Sequence, residues 1–168
     1  MDRTFCHRPS LHLPSLLLRR PQAAARLTGG EGHSALSGDL RFYQTPMGVV
    51  VYAQVRGLPE GQGDCQSPVF GFHIHAGTDC GGGMDDPFAH AMSHYDPHGC
   101  PHPYHAGDLP PLFGSGGVAL SLLLTDRFTV QEVVGKTVII HDRPDDFSTQ
   151  PSGNSGKKIA CGVIRAVR

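Results

Sequence analysis

The side chains with most chemistry to offer in this sequence are histidines, 11 of them in 168 residues. His73 and His75 stand in the run Phe72-His73-Ile74-His75 at the end of a strand pattern that begins at Val69. Residues two apart on a strand point to the same face, which sets their imidazoles about 6–7 Å apart, close enough to share a metal. Taken alone, such a pair is more often two exposed polar positions on a half-buried strand. Five more histidines lie between residues 90 and 105: His90, His94, His98, His102 and His105. The first four are spaced by four, as on one stripe of a helix, but Pro97, Gly99, Pro101 and Pro103 forbid a helix there. The segment is therefore a loop that folds around something, and histidines beside a carboxylate, Asp108, suit zinc. The competing reading is a flexible histidine tract. The turn sequences Asp96-Pro97-His98-Gly99 and Ala106-Gly107-Asp108-Leu109 weigh against it. His141 ends the apolar run Val138-Ile139-Ile140 and is followed by Asp142, Asp145 and Asp146. Metal-bound imidazoles donate their second ring N–H to such carboxylates.

The elements that must position these residues are strands. Val49, Val51, Ala53 and Val55 alternate along Gly48–Arg56, and Pro46-Met47-Gly48 joins that run to Asp39–Thr45 as a hairpin. Further strands are predicted over Ala23–Thr28, a short edge strand, and over Val69–His75 and Gly117–Leu124. In the last of these Val118, Leu120, Leu122 and Leu124 share a face. Thr137–His141 and Ile159–Val167 follow, the latter after the turn Gly153-Asn154-Ser155-Gly156, and Thr129–Val134 reads as a short helical turn. No helix separates any strand pair, so the sheet is expected to be antiparallel. Residues 76–116 have no sustained period, and a loop of that length in a compact domain is usually functional.

Composition narrows the class. Gly and Pro number 22 and 14, charged residues make up 17%, and 14 Lys+Arg balance 15 Asp+Glu. This fits a loop-rich all-β domain and excludes the basic surface needed for nucleic acid or anionic lipid. No run is long enough to span a membrane. The cysteines at 6, 65, 80, 100 and 161 form no CxxC pair, so a thiolate zinc site is not expected. Residues 1–22 read as a tail, with 23–168 as the domain. The longest apolar run of that tail, Leu16-Leu17-Leu18, is too short for a signal peptide. That favours the cytoplasm; export through a degenerate signal cleaved near Ala23-Ala24-Ala25 is the alternative, and disulfides would favour it.

With these segments in order, the sequence resembles the copper/zinc superoxide dismutase family. The resemblance rests on Gly71-Phe72-His73-Ile74-His75, Cys80, His94-Tyr95-Asp96-Pro97 and His105-Ala106-Gly107-Asp108-Leu109. It continues through Val134 to His141, Pro144-Asp145-Asp146 and Gly153 to Ile164. It implies an eight-stranded antiparallel Greek-key β-barrel with a long metal-binding loop. It implies copper held by His73, His75, His94 and His141, and zinc held by His94, His98, His105 and Asp108, with His94 shared. It makes Asp145 the carboxylate tying one copper ligand to one zinc ligand, and pairs Cys80 with Cys161. The implied reaction converts superoxide to dioxygen and hydrogen peroxide as copper cycles between two oxidation states, with His94 carrying a proton. A metal-binding barrel without turnover is the alternative.

Three features depart from the family pattern. Lys158 stands where the family has an arginine beside copper, which keeps a charge but loses the planar fork. Only three residues separate His94 from His98, so His102 rivals His98 as zinc ligand. Few lysines lie between His141 and Lys158, so weak electrostatic steering of superoxide is expected. Cys65 and Cys100 are candidates for a second bridge, Cys6 is expected to be free, and monomer and homodimer stay open.

Overall fold

The computed structural model describes residues 11–61 and 68–168. Alternating apolar residues between tight turns build its strands: β1 (Ala23–Gly29), β2 (Ser37–Thr45), β3 (Gly48–Arg56), β4 (Val69–Phe70) and β5 (Phe72–His75). After the long loop come β6 (Leu112–Phe113), β7 (Val118–Thr125), β8 (Thr137–His141), β9 (Lys158–Val163) and β10 (Arg165–Ala166). Gly71 merely interrupts β4–β5 and Ile164 merely interrupts β9–β10, so the ten segments amount to the eight expected strands. Every pairing between them is antiparallel.

The main sheet runs β5-β8-β9-β1-β2-β3-β7, with β10 beside β1, and curls so that β4 and β6 pair as a ribbon near its two edges. Strands far apart in sequence are neighbours, β3 with β7 and β5 with β8, and these crossovers are Greek-key connections. β1, expected at an edge, is central between β9 and β2; its alternating burial reflects one face on the core, not a missing neighbour. β6 keeps only two paired residues because Pro110 and Pro111, just before it, offer no N–H to a ladder.

The inward face of the curl carries Leu27, Leu40, Phe42, Val51, Phe72, Ile74, Val138 and Ile140, all buried. The hairpin β2–β3 turns at Pro46-Met47, pairs Thr45 with Gly48, and so points Val49, Val51, Ala53 and Val55 inward. Register then decides β7. Ala119 and Leu123 pair with inward Val55 and Val51, which leaves Val118, Leu120, Leu122 and Leu124 on the solvent side. On the outer face of β2–β3, the short helix α1 (Leu13–Leu17) buries Leu16 against Tyr43 and Val50. The helical turn after β7 is α2 (Val130–Val133), which starts with a capping box between Thr129 and Glu132. No helix among the described residues is long and apolar enough to cross a membrane.

β8 is buried on both faces. Its outward Ile139 is covered by Phe88 and Ala91 of the loop after β5, together with Cys161 and half-buried Cys80. Cys80 and Cys161 form a disulfide, which fastens the start of that loop to β9. Cys100 has no disulfide partner among the described residues, and Cys6 and Cys65 lie outside them. The disulfide closes a sequence separation of 81 residues. Replacing both cysteines by serine is expected to lower the unfolding free energy by about 2–4 kcal/mol. The fall is read as a lower urea midpoint with an unchanged far-ultraviolet spectrum.

Candidate metal centre

One edge of β5 pairs with β8, and the long loop takes the other. Ile74 N–H donates to the Gly107 carbonyl at 2.9 Å, Tyr95 N–H donates to the Ile74 carbonyl at 2.8 Å, and Gly107 N–H donates to the Tyr95 carbonyl at 2.8 Å. These bonds set Asp108 opposite His73 and His94 opposite His75. A side chain at 107 would not fit: a Cβ there would lie 2.2 Å from the Ile74 carbonyl oxygen. His141 arrives from the end of β8, after a register shift at Ile140/His141.

Two groups of ligand-type atoms result. His73, His75, His94 and His141 form one, and His94, His102, His105 and Asp108 form the other; within each, the atoms lie within 4.8 Å of one another. His94 belongs to both. Its Nδ1 lies 2.7 Å from Asp108 Oδ1, and its Nε2 is buried with no hydrogen-bond partner.

The outward ring nitrogens are occupied, and this decides what faces inward. His75 Nδ1 donates to the Met92 carbonyl at 2.8 Å, and His141 Nδ1 to the Gly156 carbonyl at 3.4 Å. His73 Nε2 donates to Asp145 Oδ2 at 2.7 Å, which leaves Nδ1 buried and unpartnered. Each imidazole of the first group therefore turns a lone pair toward the others, and His75 Nε2 and His141 Nε2 stand only 3.3 Å apart. Such facing acceptors suit a cation between them. In the second group Nδ1 of His102 lies 3.0 Å and Nδ1 of His105 3.2 Å from Asp108 Oδ2. The His102 nitrogen makes no hydrogen bond there. Three imidazole nitrogens around one carboxylate are a tetrahedral zinc donor set, while four imidazoles suit copper.

Burial is the first reason His73, His75 and His141 favour the neutral form. It lowers the pKa of His73 against the opposing Asp145 hydrogen bond. It lowers His75 well below its ordinary value, helped by repulsion from His94 and His141, and it lowers His141 to about 3, helped by His73. Burial acts the other way on Asp145, but hydrogen bonds from His73, the Phe147 N–H and His102 outweigh it and hold the carboxyl far below the carboxylate range. Asp145 accepts from His73 on Oδ2 and from His102, at 2.9 Å, on Oδ1, so one carboxylate ties the two groups together.

Residues 36–164 match the family described as copper/zinc superoxide dismutase (SODC). The chain belongs to the copper/zinc superoxide dismutase family. It is 39% identical over 137 residues to "Superoxide dismutase [Cu-Zn]" of Legionella pneumophila, covering 76% of this chain and 77% of that one. It is 33% identical over 168 residues to the protein of the same name from Deinococcus radiodurans, covering 89% and 87%. A third relative, "Superoxide dismutase [Cu-Zn] 2" of Aquifex aeolicus, is 31% identical over 159 residues, covering 86% of each chain.

Against the family pattern, the sequence expectation for His98 needs correction. His98 is exposed and stands outside both groups, and His102 takes its place. The reason is local. Asp96 Oδ1 accepts the N–H groups of His98 and Cys100, closing a turn that throws His98 outward and returns the chain at His102. His90 pairs with Asp79 at the surface, 2.8 Å away. Lys158 is at the wall of an open cavity of about 870 Å³ that His75, His94 and His141 also line.

Two supporting residues carried no local signal. Gln150 accepts the His102 N–H at 2.9 Å and donates to its carbonyl at 2.7 Å. Arg127 Nη1 reaches the carbonyls of Pro103, His105 and Asp108 at 3.1 to 3.3 Å, gathering the zinc-type loop from a turn beyond β7. Only the folded chain brings either of them near the histidines.

His102→Ala is expected to abolish stoichiometric zinc binding on reconstitution of the apoprotein, while His98→Ala retains it, as counted by elemental analysis. Asp145→Asn, which keeps the shape but weakens both imidazole contacts, is expected to lower metal affinity about 10–100-fold in a chelator competition.

Proposed function

We propose that this chain is a superoxide dismutase in which His73, His75, His94 and His141 hold copper and His94, His102, His105 and Asp108 hold zinc. The observation that carries the reading is His94, the one imidazole shared by both groups, with Nδ1 beside Asp108 and an unpartnered Nε2 toward the other histidines. Copper, when bound, supplies the one-electron exchange that the reaction 2 O2•− + 2 H+ → O2 + H2O2 requires.

The chain's own residues do the rest. Three of the four copper-type histidines line the cavity, so that group opens to solvent and to a small anion, as a catalytic site must. His73 is shut behind them and takes its orientation from Asp145. His94 Nε2 is a basic nitrogen at the meeting point of both groups, able to hold one of the two protons of the product; solvent in the cavity supplies the other. Asp108 fixes His94 from the opposite nitrogen, so the ring can exchange a proton without turning. The Lys158 ammonium, on the same wall, is the cation nearest in role to the family's arginine.

Protein loaded with copper and zinc is expected to consume superoxide catalytically, and His141→Ala to lose that turnover together with its copper. Lys158→Ala is expected to retain copper and turn over more slowly. Full copper occupancy without turnover in the unaltered protein would overturn the enzyme reading and leave a metal-binding barrel.

A further inference from the structure

The Lys158 ammonium is not free. Its Nζ donates to Asp86 Oδ2 at 2.7 Å and to the Phe88 carbonyl at 3.1 Å, which uses two of its three N–H donors. Lys158 opens β9 opposite His141, so its backbone is set by the sheet. Asp86 is set by its own turn: Oδ1 accepts the Phe88 N–H at 3.0 Å, and the Asp86 carbonyl accepts the N–H groups of Gly83 and Ala89. The carboxylate is thereby aimed at the lysine from the loop that Cys80 fastens to Cys161. The lysine side chain is 15% exposed and the Asp86 side chain 43%, so the pair sits at the boundary of solvent on the cavity wall.

The rest of that wall does not replace the lost charge. Glu31, Asp85, Asp96 and Asp142 line it as well, against Lys157 as the other cation. A small anion entering the cavity therefore meets a neutralised lysine in an acidic rim.

Resting on the dismutase reading, we propose that Asp86 is a positioning residue: it holds the Lys158 ammonium against the loop, cancels its charge, and so sets how weakly the copper centre attracts small anions. Asp86→Asn removes the charge but keeps an oxygen for the Phe88 N–H, and the lysine keeps its tether to the Phe88 carbonyl.

The test uses azide, a singly charged linear anion, titrated against the copper- and zinc-loaded protein and followed by its charge-transfer absorption. Asp86→Asn is expected to tighten azide about two- to fivefold, the scale of a partly exposed charge pair. Lys158→Ala is expected to weaken it. In the Lys158→Ala background the Asp86→Asn gain should shrink to the smaller share that the carboxylate exerts on the anion directly, because the share that acts through the lysine is gone. Asp86→Glu, which restores the charge, should return toward the unaltered affinity. The rate of superoxide consumption by Asp86→Asn should also fall more steeply with added salt. The azide constant is read per copper bound, so incomplete loading of a variant does not blur it. An unchanged azide constant in Asp86→Asn, or a gain just as large without Lys158, would overturn the proposal. Absence of turnover in the unaltered protein would instead sink the dismutase reading and leave the azide comparison standing.

Discussion

β5 has one edge in the sheet and one edge free, and the free edge is where the loop after it docks through Ile74. That docking places His94 beside His75 and Asp108 beside His73, so both groups of ligand-type atoms are assembled by the same backbone hydrogen bonds. Gly107 permits it, because its missing side chain lets two backbones approach to a distance no Cβ would allow. The disulfide at one end of the loop and Arg127 at the other hold it in place along its length. The centre therefore inherits its precision from a sheet edge, even though most of its donors lie outside regular strands.

Charge explains why the rest of the centre is arranged as it is. Desolvation favours the neutral form of His73, His75 and His141, and each uses its outer nitrogen on a carbonyl or carboxylate. Their inner lone pairs then face one another with nothing to accept, an arrangement that costs stability until a cation takes the lone pairs. The carboxylates Asp108 and Asp145 are placed to share that charge, the first inside the zinc-type group and the second bridging the two groups. Asp145 thus links β5, His102 and the segment after β8, so that metal held by either group bears on the same carboxylate.

The outer wall follows a different logic. A catalytic copper site needs an open side, and the cavity lined by His75, His94 and His141 provides it. What stands around that opening is more acidic than basic, and its best-placed cation is already paired with Asp86. The same loop that encloses the centre thus also restrains the charge that greets the substrate.

The strand pattern was legible because period two is local: His73 and His75 share a face wherever their strand goes, and Val49 to Val55 alternate whatever they pack against. The donor types were legible for the same reason, since a proline-broken run of histidines cannot be a helix stripe. Which histidine turns inward was not. His98 and His102 have the same chemistry, and only the turn closed by Asp96 and the clamp from Gln150 separate them. Nor could alternation say which face of β7 is the core, because the register is set by β3 across the sheet. Strands, kinds of donor and family resemblance all follow from patterns local to the chain. The place of β1 in mid-sheet, His102 rather than His98 in the second donor group, and the pairing of Asp86 with Lys158 arise only on folding, because each depends on contacts between segments far apart along the chain.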